Sequence, residues 1–376
     1  MFGVTRRDAA AGSGDGARAA VGMKPIQVLV VDDSAAVREA LSQIINDEAD
    51  MQVMATAADP FRAAAALKTA VPDVITLDVE MPQMDGLTFL RRLMAQHPIP
   101  VVMCSSLVEP NSPTLHAALS AGAVDVICKP KMGLRGFLEE SKIAIGDAIR
   151  GAAQARPQRA LRTARPVADT ARQAAPAPTR GAMLKTTDKV VAIGASTGGT
   201  EALRTVLEQM PPDCPPIAIV QHMPTEFTCA FAQRLDELCA ISVREASDGD
   251  RLLRGQALIA PGSRHMMVMR RGAQYGVEVR DGPLVSRHRP SVDVLFRSVA
   301  RSAGANAVGI IMTGMGDDGA TGLGEMRSAG AETLGQNEES SVVYGMPRAA
   351  FERGAVGQQV GLQAIPGAIL KLADGR

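Results

Sequence analysis

Ser196 lies in the glycine-rich turn GASTGG, residues 194–199, which separates an apolar strand-like run from a helix-like run. A helix that begins after such a turn presents unpaired N–H groups and a positive dipole end, which favour any oxyanion. The spacing of Gly194, Ser196 and Gly198 also fits the G-x-S-x-G pattern, in which a serine is held up as a nucleophile. The turn alone therefore allows two kinds of chemistry, phosphate binding and nucleophilic attack by Ser196.

A nucleophilic serine needs a general base, and the second half of the chain offers three histidines, His222, His265 and His288. His222 directly follows the apolar run IAIVQ, and Asp317 and Asp318 follow the run AVGIIMTGMG. The carboxyl ends of parallel strands meet at one edge of a sheet, so we expect Ser196, His222 and one of the two aspartates to lie close together. Such a set is a Ser-His-Asp triad, and the spacing leaves open which aspartate completes it.

The order of these residues separates the second half from other classes of protein. It runs serine, histidine, aspartate, whereas hydrolases with a nucleophile elbow carry the acid before the histidine. A nucleotide-binding module that used the glycine turn would place an acidic ribose ligand about 20 residues farther on, where His222 stands instead. A DNA-binding output domain would show a helix-turn-helix and a basic face, and the alternation of strands and helices does not fit one.

Polar residues in the first half follow successive apolar runs in the same way: Asp32, Asp33, Asp78, Ser105 and Lys129. Carboxylates that meet at one edge repel each other unless a cation joins them, and a few hard oxygen ligands suit Mg²⁺. Lys129 and the Ser105 hydroxyl would be partners for a transferred phosphoryl group. The first half thus predicts a phosphoryl site with Mg²⁺ held by Asp32, Asp33 and Asp78.

Alternating strand and helix patterns must position both sites. Five short β-rich runs between Ile26 and about Arg150 each precede an amphipathic stretch, and the alternation resumes at Lys189. The segment from Arg264 to Arg280 instead predicts an antiparallel hairpin. These patterns predict an α/β fold with two doubly wound parallel-sheet domains, of which the second is Rossmann-like with an antiparallel hairpin.

Composition divides the chain further. Residues 150–186 are rich in Ala, Arg and Pro and predict a flexible linker between a domain at 24–149 and another at 187–376. Residues 1–23 contain little to bury and predict a disordered extension. We hypothesise that Met23 is the natural start.

The charge, the cysteine content and the hydropathy of the chain argue against several classes of protein. The 376 residues include 40 basic and 40 acidic side chains, a formal net charge of +0 that favours neither nucleic acid nor an anionic membrane. Five cysteines without a C-x-x-C pair argue against a disulfide framework and a zinc site. No stretch is apolar enough for a membrane span or a signal peptide. We expect a cytoplasmic protein that neither binds nucleic acid nor inserts into a membrane.

The motifs VVDDS, LDVEMPQMDG, CSS and CKP make the first half resemble the receiver domain of two-component response regulators. The resemblance implies a flavodoxin-like domain in which a histidine kinase phosphorylates Asp78, with Mg²⁺ held by Asp32, Asp33 and Asp78. One departure is Val126, where many receivers carry an aromatic switch residue. The valine affects the expected rotamer switch but not the expected phosphorylation of Asp78.

The second half carries the motifs AIGASTGGTEAL, QHMPTEFTCAFAQRLD, IAPGSRHM, RHRPSVDVLFRSVA and MTGMGDDGATG. They resemble the catalytic domain of the chemotaxis protein-glutamate methylesterases, the CheB family, and receiver, linker and esterase follow in the family's order. The resemblance implies hydrolysis of glutamate γ-methyl esters on methyl-accepting chemoreceptors with release of methanol. Some members also deamidate receptor glutamines.

The family's site residues are implied by the same motifs. Ser196, His222 and Asp318 match the triad, and Asp318 is chosen because it directly precedes Gly319. Met315 matches a residue that contributes to the oxyanion hole in the family. Thr197 is expected to support the turn that binds the oxyanion. Ester hydrolysis would need no cofactor. The family resemblance, together with the linker, also implies that the unphosphorylated receiver covers the esterase edge until Asp78 is phosphorylated.

Overall fold

The computed structural model describes residues 24–105, 114–130, 135–155 and 189–374. The predicted extension at 1–23 and most of the predicted linker lie outside these ranges. Among the described helices, none combines the length and the apolar character needed to cross a bilayer.

The first domain is a parallel sheet with helices on both faces. Its strands are β1 (Ile26–Val31), β2 (Met51–Ala57), β3 (Val74–Asp78), β4 (Val101–Ser105) and β5 (Asp125–Cys128). Its helices are α1 (Ala35–Asn46), α2 (Pro60–Thr69), α3 (Gly86–Gln96), α4 (Thr114–Ser120) and α5 (Arg135–Gln154). The strand order β2-β1-β3-β4-β5 is the flavodoxin-like order, which confirms the predicted fold.

Helix α5 continues past the predicted domain boundary. Residues 150–154, which composition assigned to the linker, are helical. Ile145, Ile149 and Ala152 are buried at helical spacing in one apolar cluster, so the alanine-rich end of the helix has a core to pack against. The boundary at 149 is therefore too early.

The second domain is built on a larger parallel sheet. Its strands are β6 (Val190–Ala195), β7 (Ile217–Gln221), β8 (Ser242–Glu245), β9 (Gln256–Ile259), β12 (Ala307–Ile311), β13 (Glu332–Gln336) and β14 (Gln358–Val360). The order β14-β13-β12-β6-β7-β9-β8 is the Rossmann order with β8 added at one edge. The central strands β6, β7 and β12 are buried along their whole length.

The hairpin and helices complete this domain. Strands β10 (His265–Arg271) and β11 (Gln274–Arg280) pair antiparallel, which confirms the predicted hairpin. The helices are α6 (Gly199–Leu207), α7 (Thr225–Leu238), α8 (Val292–Ser302), α9 (Ala320–Ser328), α10 (Met346–Glu352) and α11 (Ile365–Asp374). Phe227 of α7 is 1% exposed and belongs to an apolar cluster that otherwise consists mostly of receiver residues, so the two domains are in contact.

Candidate active site

Ser196 and His222 follow neighbouring strands at the same sheet edge. Ala195 and Gln221 are register partners in the parallel β6–β7 pair, so the residues that follow them stand side by side. The backbone N–H of His222 donates to the Ala195 carbonyl over 3.1 Å, and that of Ser196 donates to the Thr313 carbonyl over 3.0 Å. The backbone therefore holds Ser196 between the ends of β7 and β12, at the point where the sheet order reverses.

Two glycines allow this turn. Gly198 has a φ of 75°, a left-handed conformation that glycine adopts without strain, and α6 begins directly after it. A Cβ at Gly314 would lie 2.7 Å from the Ser196 Cβ, so only glycine lets the loop after β12 approach the serine so closely.

Asp318 lies against the N-terminus of α8 and is 1% exposed. Its carboxylate accepts hydrogen bonds from the N–H groups of Val292 (2.7 Å) and Asp293 (3.0 Å) and from the Ser291 hydroxyl (2.9 Å). Burial raises the pKa of Asp318, but the hydrogen bond and the charge of His222 outweigh it and hold the pKa below its ordinary value. Asp318 is therefore a carboxylate at neutral pH.

The hydrogen bond to Asp318 determines which nitrogen of His222 is basic. His222 Nε2 lies 2.8 Å from Asp318 Oδ2, and a carboxylate acceptor requires the proton to be on Nε2. Nδ1 then carries the free lone pair, and it is buried with no hydrogen-bond partner in the described part of the chain. Nδ1 is thus the nitrogen of His222 whose lone pair is left for a proton donor.

The other histidine and aspartate candidates take structural positions. His265 Nε2 lies 2.8 Å from the Pro283 carbonyl, and its Nδ1 accepts the N–H of Ser291 over 3.2 Å. Asp317 is paired with Arg353 on the surface. Of the two adjacent aspartates, the structure thus brings only Asp318 to His222.

The predicted oxyanion residues border the same edge. Thr197 is 2% exposed, and its carbonyl accepts the Thr313 hydroxyl over 2.9 Å, which ties the serine turn to the loop after β12. Met315 follows in that loop and packs against a cluster that contains receiver residues. Their contribution to an oxyanion hole stays a prediction.

The predicted phosphoryl site also assembles. Asp32, Asp33 and Asp78 each present a carboxylate oxygen within 4.8 Å of the others, and Ser105 is buried at the end of β4. Lys129 Nζ lies 2.9 Å from Asp32 Oδ2 and 2.8 Å from Asp78 Oδ2. Burial raises the pKa of Asp78 to about 6 although Lys129 opposes it. Three hard oxygen donors facing one ammonium group fit Mg²⁺.

His288, the third candidate base, lies beside His222 in a position that its spacing did not predict. The ring of His288 stacks on that of His222, with centroids 3.7 Å apart and an interplanar angle of 33°. Burial and the charge of His222 lower the pKa of His288 well below its ordinary value, so the ring is neutral at pH 7. The only available signal was its place just before the helix whose N-terminus holds Asp318.

Receiver residues line the same cavity as Ser196 and His222, a space of about 180 Å³. Asp147 of α5 lies 3.8 Å from His288, and Asp125 at the start of β5 is hydrogen-bonded to Thr197. These neighbours are far apart along the chain and belong to different domains, so no local pattern could predict them.

Asp125 makes the contact between the domains sensitive to pH. Burial raises the pKa of Asp125 to about 6, although the Thr197 hydrogen bond and the charge of His222 oppose it. In the undocked state the pKa of Asp125 would be about 3.9. Ionisation of Asp125 therefore adds a free-energy cost to docking above pH 6. This cost decreases as the pH falls toward 4. We expect Asp125→Asn to be more compact than the wild type at pH 7.5 and equally compact at pH 4.5, by small-angle X-ray scattering. Equal compactness at both pH values would contradict the assignment.

Comparison with known proteins agrees with this architecture. The CheB methylesterase family model matches residues 191–369, and the response regulator receiver domain model matches residues 28–135. Protein-glutamate methylesterase/protein-glutamine glutaminase 3 of Geobacter metallireducens is 58% identical over 93% of this chain and 99% of its own length. The protein of the same name numbered 5 from Anaeromyxobacter dehalogenans is 56% identical over 93% of this chain and 97% of its own length. The chain therefore belongs to the CheB methylesterase family, with a receiver domain ahead of the methylesterase domain.

Proposed function

We propose that this protein hydrolyses γ-methyl esters of glutamate residues on chemoreceptors and that phosphorylation of its receiver domain activates it. The observation that carries the proposal is the buried 2.8 Å hydrogen bond between His222 and Asp318, beside Ser196. The relatives from Geobacter metallireducens and Anaeromyxobacter dehalogenans, named as methylesterases and glutaminases, support the same activity.

The reaction follows from the orientation of the histidine. His222 Nδ1 accepts the proton of the Ser196 hydroxyl while Oγ attacks the ester carbonyl carbon. Backbone N–H groups near Thr197 and Met315 stabilise the tetrahedral oxyanion. His222 then returns the proton to the departing methoxide, which leaves as methanol. A water molecule repeats the sequence on the glutamyl-enzyme and releases glutamate.

Deamidation requires only a different leaving group. When a glutamine side chain occupies the site, Ser196 forms the same glutamyl-enzyme and ammonia departs in place of methanol. His222 supplies the proton in both cases. The glutaminase activity for which the relatives are named is therefore compatible with the same three residues.

Activation by phosphorylation would act through Lys129. Its ammonium group holds both Asp32 and Asp78, and it directly follows Cys128, whose Sγ lies 3.7 Å from Glu226 of the catalytic domain. A phosphoryl group on Asp78, donated by a histidine kinase, would compete for Lys129 and pull on the end of β5. Mg²⁺ held by Asp32, Asp33 and Asp78 would neutralise charge on the phosphoryl oxygens. The pull on the end of β5 would favour the undocked state.

A methanol-release assay tests the proposal. Purified full-length protein is mixed with membranes that carry methylated chemoreceptors, with and without Mg²⁺ and a small-molecule phosphodonor. We expect methanol release that increases when the phosphodonor is present. Absence of methanol under both conditions, with receptors shown to be methylated, would overturn the proposed activity.

Asp78→Asn should remove the response to phosphorylation. The amide cannot accept a phosphoryl group, so we expect the variant's rate to stay within about twofold on addition of phosphodonor, whereas the wild type rises about tenfold or more. The matched control is Asp73→Asn, at the exposed aspartate just before the opposite end of β3. An equal response in wild type and Asp78→Asn would show that activation does not pass through Asp78.

A further inference from the structure

A strained turn projects Arg287 toward the candidate active site. The backbones of Val285 and His288 exchange hydrogen bonds of 3.1 and 2.9 Å, and the two residues between them, Ser286 and Arg287, have φ values of 51° and 67°. Two positive φ values are typical of a type I′ turn, which favours Asn-Gly. Neither residue is glycine, and such backbone strain collects at functional sites.

The Arg287 side chain reaches the rim of the catalytic cavity. Arg287 lines the same cavity as Ser196 and is 58% exposed. Its guanidinium lies over the loop after β12, since a Cβ at Gly316 would be 4.0 Å from Nη2. Arg289 also lines this cavity, but its guanidinium donates to the Gly282 carbonyl over 2.6 Å. Arg287 is therefore the cation placed to meet a substrate.

In the docked state a receiver carboxylate faces this cation. Asp147 of α5 is 9% exposed; its Oδ1 accepts a hydrogen bond from Arg150 of the same helix over 3.4 Å and lies 3.7 Å from Arg287 Nη2. Its Oδ2 has no hydrogen-bond partner among the described residues and lies 3.8 Å from His288 Nε2. Burying a carboxylate is costly unless the surroundings compensate for its charge. The rim of the cavity is thus complementary to an acidic side chain.

We propose that Arg287 is a specificity residue that binds an acidic side chain of the substrate close to the esterified glutamate, at the place that Asp147 occupies when the receiver is docked. The inference rests on the proposed esterase function and adds a feature of its substrate. Undocking the receiver removes Asp147 and frees the guanidinium for a substrate carboxylate. Guanidinium–carboxylate pairs are strong when they form at a partly buried rim.

Two matched peptides test the inference. Both contain one glutamate γ-methyl ester; one has glutamates within a helical turn on either side, and the other has alanines there, because glutamines could themselves be deamidated. Hydrolysis is measured on full-length protein with Mg²⁺ and phosphodonor. The ratio of kcat/KM between the peptides is the readout, since the fraction of undocked enzyme is common to both and cancels.

Arg287→Gly separates a role in binding from a role in the turn. Glycine suits a φ of 67°, so we expect no loss of thermal stability. We expect the wild type to prefer the acidic peptide about tenfold and the variant to lose that preference, with Arg287→Lys intermediate. Arg348→Gln removes the same charge from the exposed surface of α10 and is expected to keep the preference.

The outcomes distinguish a failure of the proposed esterase function from a failure of the proposed specificity role of Arg287. If the wild type hydrolyses both peptides and the ratio is the same in Arg287→Gly, the specificity role is overturned while the esterase function stands. If the wild type hydrolyses neither peptide nor methylated receptors, both fail. An equal loss on both peptides, with unchanged selectivity, would assign Arg287 a role other than the one proposed.

Discussion

Replacing Ser196 by alanine is expected to lower kcat for methanol release by roughly 10⁴-fold to 10⁶-fold. The side chain supplies the only protein atom in the proposed mechanism that bonds to the substrate carbonyl carbon. Without Oγ, His222 has no nucleophile to activate and no glutamyl-enzyme forms. Thermal unfolding should change little, because Ser196 is tied to its neighbours through its backbone N–H and carbonyl.

Ser263→Ala is the matched control for that substitution. Ser263 lines the same cavity, but its hydroxyl accepts a hydrogen bond from Thr225 over 2.8 Å and takes no part in the triad. We expect its activity to stay within a few-fold of the wild type. Retention of substantial turnover by Ser196→Ala, or an equal loss in Ser263→Ala, would refute the assignment of the nucleophile.

Sequence patterns predict the strand ends because the physics there is local. A buried parallel strand needs a continuous apolar run, and the residue after it must lie at the sheet edge. This rule places Ser196 and His222 at the sheet edge, and the predicted two-domain α/β fold is confirmed. The same reasoning places Asp32, Asp78 and Lys129 at one edge of the first sheet.

Spacing alone could not choose between Asp317 and Asp318. Both follow the same strand, and the choice depends on the N-terminus of α8, which lies about 25 residues earlier and approaches only in the folded chain. The resemblance to the family implied Asp318, and the hydrogen bond to His222 agrees with it. Side-chain orientation here is a tertiary property, because it is set by hydrogen-bond donors from another element.

Contacts between the domains are the features that the sequence predicts least. Asp125 and Asp147 look like ordinary solvent-facing residues in their own segments, and in the folded chain they contact Thr197 and Arg287 of the other domain. The extension of α5 has a related cause, since burial of Ala152 stabilises a helix end that composition alone assigns to a linker.

Asp318→Asn should be the second most damaging substitution, with kcat lowered by roughly 10³-fold to 10⁴-fold. The carboxylate accepts bonds from the Val292 and Asp293 N–H groups as well as from His222. If the asparagine oxygen accepts the N–H groups at the N-terminus of α8, the asparagine NH₂ group faces His222 Nε2. Nε2 must then accept a hydrogen bond instead of donating one. The ring proton moves to Nδ1, and His222 no longer accepts a proton from Ser196.

Asp318→Asn should change the tautomer of His222 as well as the rate. Nitrogen NMR of His222 should show the proton on Nε2 in the wild type and on Nδ1 in Asp318→Asn. Asp317→Asn is the matched control, because Asp317 pairs with Arg353 at the surface, and its kcat should change by less than about twofold. A variant that lost activity while keeping the Nε2 tautomer would point to disruption of the α8 N-terminus instead. Equal losses in both aspartate variants would contradict the assignment of Asp318, because only Asp318 of the two reaches His222.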